Sequence, residues 1–201
     1  MRCARLLTLW ILLALLSACA GITQQEPTSA GWKTHSKQLT ALHQWTASGK
    51  LALRTAQASE SATIVWQQHY QATHLQLSGP LGIGATTIES DGQHLDIRQG
   101  DELQSLDIST PDAILTNTGL DLPLSALAYW LKGLPAPDSA IQQLDVNPQT
   151  QLLQSLRQDD WEVQFQRYGQ FEGFVLPVRM QIQRGGTRAK IVISQWQTSF
   201  D

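Results

Sequence analysis

Acid–base, metal and nucleophilic chemistry all require convergent polar side chains. The first candidates are the five histidines: His35, His43, His69, His74 and His94. His35 and His43 fall on or beside the polar side of a short helical segment. His69, His74 and His94 lie on or next to alternating strands, mostly at water-facing parity. No His-x-x-x-His pair exists, nor any Cys–His spacing suited to a metal. The chain also lacks a Gly-x-Ser-x-Gly elbow and a Ser-x-x-Lys motif. Gly82-Ile83-Gly84 would cradle a phosphate only if a helix N-terminus followed it, and Ala85 to Glu89 reads as a strand. The expectation is a non-enzyme with no metal and no soluble cofactor.

The covalent chemistry that is indicated belongs to Cys19. It closes Leu16-Ser17-Ala18-Cys19, two small residues before a thiol, a pattern similar to a bacterial lipobox. Such a thiol forms a thioether to diacylglycerol, and the cleaved amine takes an acyl chain, so the only expected prosthetic group is this lipid on Cys19. An ordinary leader with a chance cysteine is the alternative. It would leave a lone thiol at the new N-terminus. Arg2 and Arg5 give the positive start of a leader, and Leu6 to Leu16 is apolar except for Thr8. That run of about 11 residues is too short for a bilayer span of roughly 20 and suits a signal-peptide core. Cys3 leaves with the leader, so Cys19 is the last thiol and no disulfide can form. Ala20 follows, where an aspartate would resemble an inner-membrane retention signal; alanine favours the outer membrane.

Two apolar features suggest binding rather than catalysis. Ser78-Gly79-Pro80-Leu81-Gly82-Ile83-Gly84 is a loop in which glycine and proline frame large aliphatics. Leu81 either tucks back into the core or stands out as an apolar wedge for a membrane or partner. Of seven tryptophans only Trp10 lies in the leader; the others are Trp32, Trp45, Trp66, Trp130, Trp161 and Trp196. Singly each suits a core, but together they can line a wide apolar cavity within a barrel.

These groups need a scaffold. Residues 1–18 are the leader, 19–31 a small, polar tether unable to order itself, and 32–201 one domain. Residues 33–45 place Leu39, Leu42 and Trp45 on one helical face. From Gly49 the period becomes two: Leu51/Leu53, Ala62/Ile64/Trp66, Leu75/Leu77, Leu95/Ile97, Leu106/Ile108, Trp161/Val163/Phe165, Val178/Met180/Ile182 and Ala189/Ile191/Ile193. Turns fall at Asp91-Gly92, Gln99-Gly100-Asp101 and Gly185-Gly186. Polar residues on the opposite face imply antiparallel strands with one wet side. About eleven such strands predict a mainly β chain curled into a barrel or half-barrel. The exception is the middle. Residues 111–115 open a short helix, and Asp121 to Gly133 a clearer one, with Asp121 as cap, Pro123 in the first turn and Gly133 as stop. Leu124, Leu127, Ala128 and Leu131 share its face, with Trp130 beside the stripe. Helices inserted there can close one mouth of the barrel as a lid.

Charge narrows the partners. The formal charge of −3 becomes −5 once Arg2 and Arg5 leave. Nothing in that balance suits nucleic acid or a polybasic hold on lipid headgroups. Membrane contact beyond the anchor must be apolar.

Several segments together resemble one family, the LolB outer-membrane lipoprotein receptors, over essentially the whole chain. They are the lipobox ending at Cys19, Trp66-Gln67-Gln68, Gly79-Pro80-Leu81-Gly82 and Pro123-Leu124-x-x-Leu127-x-x-Trp130-x-x-Gly133-Leu134-Pro135. Asp160-Trp161-x-Val163, Leu176-Pro177 and Lys190-Ile191-x-Ile193-x-x-Trp196 follow in order. Gly84 after Gly82 makes the loop looser than is typical. The resemblance implies a single incomplete antiparallel β-barrel with a helical lid over an apolar cavity. It implies a receptor that accepts acylated lipoproteins from the periplasmic carrier LolA and inserts them into the inner leaflet of the outer membrane. The family's protruding leucine maps onto Leu81, making Pro80, Leu81 and Gly82 the membrane-insertion loop. Parity and the lid helix assign Trp66, Leu127, Trp130 and Trp161 to the cavity. The expected partners are LolA, acylated cargo and outer-membrane phospholipid, with no nucleic acid, and the chain is expected to be a monomer. A lipid-anchored carrier of another amphiphile and a structural adaptor docking through Leu81 are the alternatives.

Overall fold

The structure is a computed structural model that describes residues 30–79, 84–108 and 123–198. Cys19, Pro80, Leu81, Gly82 and the 111–115 helix lie outside the described residues.

Eleven antiparallel strands form one sheet, in the order β6-β5-β4-β3-β2-β1-β11-β10-β9-β8-β7. In chain order they are β1 (Gln44–Arg54), β2 (Ser59–His69), β3 (Ala72–Ser78), β4 (Thr86–Ser90), β5 (His94–Gln99) and β6 (Glu102–Asp107). Then come β7 (Ile141–Val146), β8 (Leu153–Gln158), β9 (Trp161–Phe171), β10 (Phe174–Arg184) and β11 (Thr187–Gln197). All but one of the neighbouring pairs are consecutive in sequence; the join of β1 to β11 brings the chain ends together. β6 and β7 end the sheet without pairing to each other, so the barrel is incomplete, as the family resemblance implies. Most turns are tight and use the left-handed backbone, as at Gly92, Gly100 and Gly185.

The β1–β11 join has a specific demand. Its register shifts between Ser48 and Gly49, and a Cβ on Gly49 would overlap the Val192 carbonyl oxygen. Only glycine lets the two halves of the sheet meet there.

Alternation puts one apolar face inward. Trp45 and Ala47 on β1, Ile64 and Trp66 on β2, Leu75 on β3, and Met180 and Ile182 on β10 are all buried. Two helices lie among the described residues: α1 (Trp32–Thr40) and α2 (Leu124–Trp130). Leu39, Leu42 and the buried residues Leu127, Trp130 and Leu131 join the inner face in one core.

The helices differ from their sequence-based limits. α1 stops at Thr40 rather than 45, and Trp45 belongs to β1, paired with Gln68. No glycine or proline ends α1. Tertiary packing does, because Trp45 stacks on Trp66 at 6.1 Å and meets Trp196 at 5.3 Å within the sheet core. Pairing therefore begins at Gln44, before Gly49. α2 begins at Leu124, after Pro123, whose carbonyl accepts the Leu127 amide at 2.9 Å. Its end is as expected: Gly133 has φ 80°, and its amide donates to the Trp130 carbonyl at 2.9 Å. Trp130 is not beside the buried stripe but at its centre, 1 % exposed.

Candidate functional site: the inner face of the sheet

The four described residues assigned to the cavity all point to the inner face. Trp66, Leu127, Trp130 and Trp161 are buried members of one core. Their ring contacts fall into two groups. Trp66 stacks on Trp45, which in turn meets Trp196. Trp130 of α2 meets Trp161 of β9 at 6.2 Å, and this contact seats the helix on the sheet. Side chains of α2 thus fill the space against the inner face of the sheet. Around them the cover is thinner. Leu51, Leu53, Leu77, Ile88, Leu144 and Val146 are only half-buried, though packed against the same core. Leu77, at the end of β3, precedes the 79–85 connection and pairs with Ile64 and Thr86. Leu51 and Leu53 end β1 on the same side of the sheet. The inner face is therefore mostly apolar, with Gln68 and Gln158 as buried polar exceptions, and its half-buried members include Leu51, Leu53 and Leu77 beside the 79–85 connection and Phe171 and Phe174 at the other end.

Two polar side chains fix the helical cover, and neither stood out from the sequence. Gln158 ends β8 and is fully buried. Its Oε1 accepts Trp130 Nε1 at 2.9 Å and the Ala136 amide at 2.8 Å. Its Nε2 donates to the carbonyls of Ala136 and Ser139, each at 2.9 Å. All four hydrogen-bond positions of the amide are used, and they tie α2 and the segment after it to the sheet. A glutamine at a strand end looks like surface; only its inward parity with Leu156 hints otherwise. Lys132, 6 % exposed, donates from Nζ to the Leu42 carbonyl at 2.9 Å and the Leu39 carbonyl at 3.2 Å. It links the turn after α2 to the C-terminal end of α1, where a cation also meets the negative end of the helix dipole. Burial brings its amine down to about 8.

The histidines divide differently from the sequence reading. His35 is not on a polar side but 4 % exposed, one turn before Leu39 and near Trp32. Its Nε2 has no protein partner, and burial lowers its pKa. This group lowers stability at acid pH. The unfolded chain binds a proton as pH falls through about 6.5 while folded His35 resists it, so stability declines from there toward the folded value. Urea unfolding from pH 7.5 to 5 should show this decline, reduced in His35→Phe. An equal decline in both proteins would place the titrating group elsewhere.

His69, His74 and His94 do face outward. With Gln44, Trp45, Thr46, Glu89, Asp91 and Asp96 they line an open groove of about 580 Å³. His74 pairs with Glu89 at 3.0 Å, and His94 with Asp91 at 3.1 Å. Backbone amides of His94 and Gln93 hold the Asp91 carboxyl at about 2. Among the described residues, no group of three or more His, Cys, Asp or Glu could hold a metal ion.

Comparison with known proteins follows the same lines. The family model described as "Outer membrane lipoprotein LolB" matches residues 43–196. A protein named outer-membrane lipoprotein LolB from Ectopseudomonas mendocina is 37 % identical over 207 aligned positions, covering 96 % of each chain. Its namesake from Stutzerimonas stutzeri is 35 % identical, covering 91 % of this chain and 90 % of the other. Among solved structures, a LolA superfamily protein from Nitrosomonas europaea superposes with a TM-score of 0.55 at 10 % identity. It covers 86 % of this chain and 96 % of its own, a likeness of fold.

Proposed function

The chain belongs to the outer membrane lipoprotein LolB family, and from that premise we propose that it receives acylated lipoproteins from a soluble carrier of the LolA type and delivers them into the inner leaflet of the outer membrane. As a member of that family it is an outer-membrane lipoprotein. We assign its anchor to lipid on Cys19, with 19–31 as tether and the domain facing the periplasm. The observation that carries the reading is the inner face of the open sheet. It is largely apolar from β3 to β9 and covered by α1 and α2, with half-buried Leu51, Leu53 and Leu77 beside the 79–85 connection.

The energetics suit a carrier. At about 0.8 kcal/mol per buried methylene, a sixteen-carbon chain gains on the order of 12 kcal/mol from leaving water. It will move only to another apolar host. Since α2 packs Trp130 onto Trp161, the host must open, and the acyl chain must replace the contacts that α2 gives up. No bond is made or broken, and direction comes from differences in affinity. The close packing of Trp130 and Trp161 also favours a second reading, a lipid-anchored adaptor with a dry core. A fluorescent long-chain fatty acid separates the two. Saturable binding that depends weakly on salt supports the carrier; absence of binding in a folded sample supports the adaptor.

Delivery is assigned to Pro80-Leu81-Gly82. Leu81 lies between strands in a Gly/Pro frame, so Leu81→Ala should cost less than the roughly 2–5 kcal/mol of a core leucine. Leu81→Glu places a charge where hydrocarbon contact is expected. Acceptance of acylated cargo from the carrier should remain near wild type, while release into liposomes falls at least ten-fold. Normal release by Leu81→Glu would remove the loop from the mechanism, and a core-sized stability loss in Leu81→Ala would put the leucine in the core.

A further inference from the structure

Two buried polar atoms among the described residues lack a protein hydrogen-bond partner, His35 Nε2 and Trp161 Nε1. The second has the more telling position. Trp161 is 1 % exposed and opens β9 on the inner face. Its ring is in contact with Trp130 of α2 on the core side and with the Arg184 guanidinium at 4.6 Å. The register runs from Val163 through Ile182 and Ala189 to Leu53. Trp161 is therefore one inward position beyond Leu53, at the end of the sheet that holds the β1–β2 turn, and it is the last buried inward residue of β9 at that end.

Its neighbours show what an indole N–H normally does here. Trp66 Nε1 donates to Gln68 Oε1 at 2.9 Å, Trp130 Nε1 to Gln158 Oε1 at 2.9 Å, and Trp196 Nε1 to the Pro177 carbonyl at 3.0 Å. A buried donor without an acceptor is costly, and each one in a native protein calls for an explanation. The Arg184 side chain cannot supply the acceptor, because a guanidinium only donates. An apolar host typically holds a few polar groups that fix the orientation of what it binds.

We propose that Trp161 Nε1–H is the receiving point for the carbonyl oxygen of an acyl ester or amide, holding the head of the acyl group at the β1–β2-turn end of the sheet once α2 gives way, while the hydrocarbon extends along the inner face toward Leu127 and Trp66. This rests on the inner face being the acyl host. The acceptor arrives with the cargo, so the bond forms only in the loaded state and adds nothing to the empty one.

The test uses the full lipidated chain, labelled with 15N-tryptophan and held in nanodiscs of diether phosphatidylcholine, whose phospholipids carry no acyl carbonyls, so that the Cys19 lipid is a constant background in both arms. The probes are methyl palmitate and hexadecyl methyl ether, of similar length but with and without the carbonyl. Loss of one indole resonance in Trp161→Phe assigns the signal. The expected result is binding of both probes, with the ester about ten-fold tighter and alone moving the Trp161 indole proton downfield. Trp161→Phe should bind the ether within two-fold of wild type and lose the ester preference. Equal affinities with an unmoved indole proton would overturn the assignment, as would an ester preference that survives Trp161→Phe. If that variant does not fold, single Phe replacements of the other tryptophans assign the Trp161 signal by elimination, and the wild-type comparison with that resonance decides. Binding of neither probe would instead overturn the inner face as acyl host, and this inference with it.

Discussion

Gln158→Leu should lower the unfolding free energy by about 3–5 kcal/mol, although leucine is close in volume and more apolar. The amide is fully buried and serves four partners: the Trp130 indole N–H, both polar groups of Ala136, and the Ser139 carbonyl. Removing one side chain strands all four, and each buried unsatisfied group costs roughly 1–3 kcal/mol. Water reaching Ser139, which is only half-buried, will recover part of that. Hydrogen exchange should localise the effect. Amides of α2 and of the 131–136 segment should lose protection first, before those of β1 and β11, because Gln158 joins that cover to the sheet. Uniform loss across the sheet would mean that Gln158 supports β8 rather than the helical cover. A loss under about 1 kcal/mol would mean that the network is not held in solution.

Lys132→Met should cost about 2–4 kcal/mol at neutral pH. The methionine keeps most of the stem but leaves the Leu39 and Leu42 carbonyls without their donor, and hydrogen bonds from a charged group contribute roughly 1.5–3 kcal/mol each. Relief from burying an amine offsets part of the loss. The pH dependence identifies the residue. Folded Lys132 sheds its proton near pH 8, whereas in the unfolded chain it holds on to about 10.5. Between those values the unfolded state binds more protons, so stability rises with pH through that window. Wild type minus Lys132→Met, measured by denaturant unfolding from pH 7 to 10, should show that rise. A flat difference would show that the amine is not held in the buried site. Both variants loosen contacts that acyl cargo must displace, so they should also accept a fatty-acid probe faster than wild type.

Much of this protein was legible in its residues. Alternation such as Trp161-x-Val163-x-Phe165 marks a strand with one apolar side whatever it packs against, so strand number, parity and the mainly-β class follow locally. Gly133 marked a helix end because few residues other than glycine accept its left-handed backbone. The leader, the tether and the Cys19 anchor expected from the sequence lie outside the described residues. Contacts between distant segments were not legible. Trp45 fits a helix by spacing and a strand by type, and the choice was made by Trp66 and Trp196, far along the chain. His35 fell on the polar side by pattern, yet it is buried beside Trp32. Gln158 and Lys132 have the composition of surface, and only the fold brings them the carbonyls and indole that make burial tolerable. The sequence by itself determined that one face of a long antiparallel sheet would be apolar. Tertiary structure alone decided that α2 would fill it, that two polar side chains would hold α2 there, and that the Trp161 indole would be left without an acceptor. Periodicity is written in neighbouring residues, whereas hydrogen-bond satisfaction depends on groups that only folding brings within 3 Å of each other.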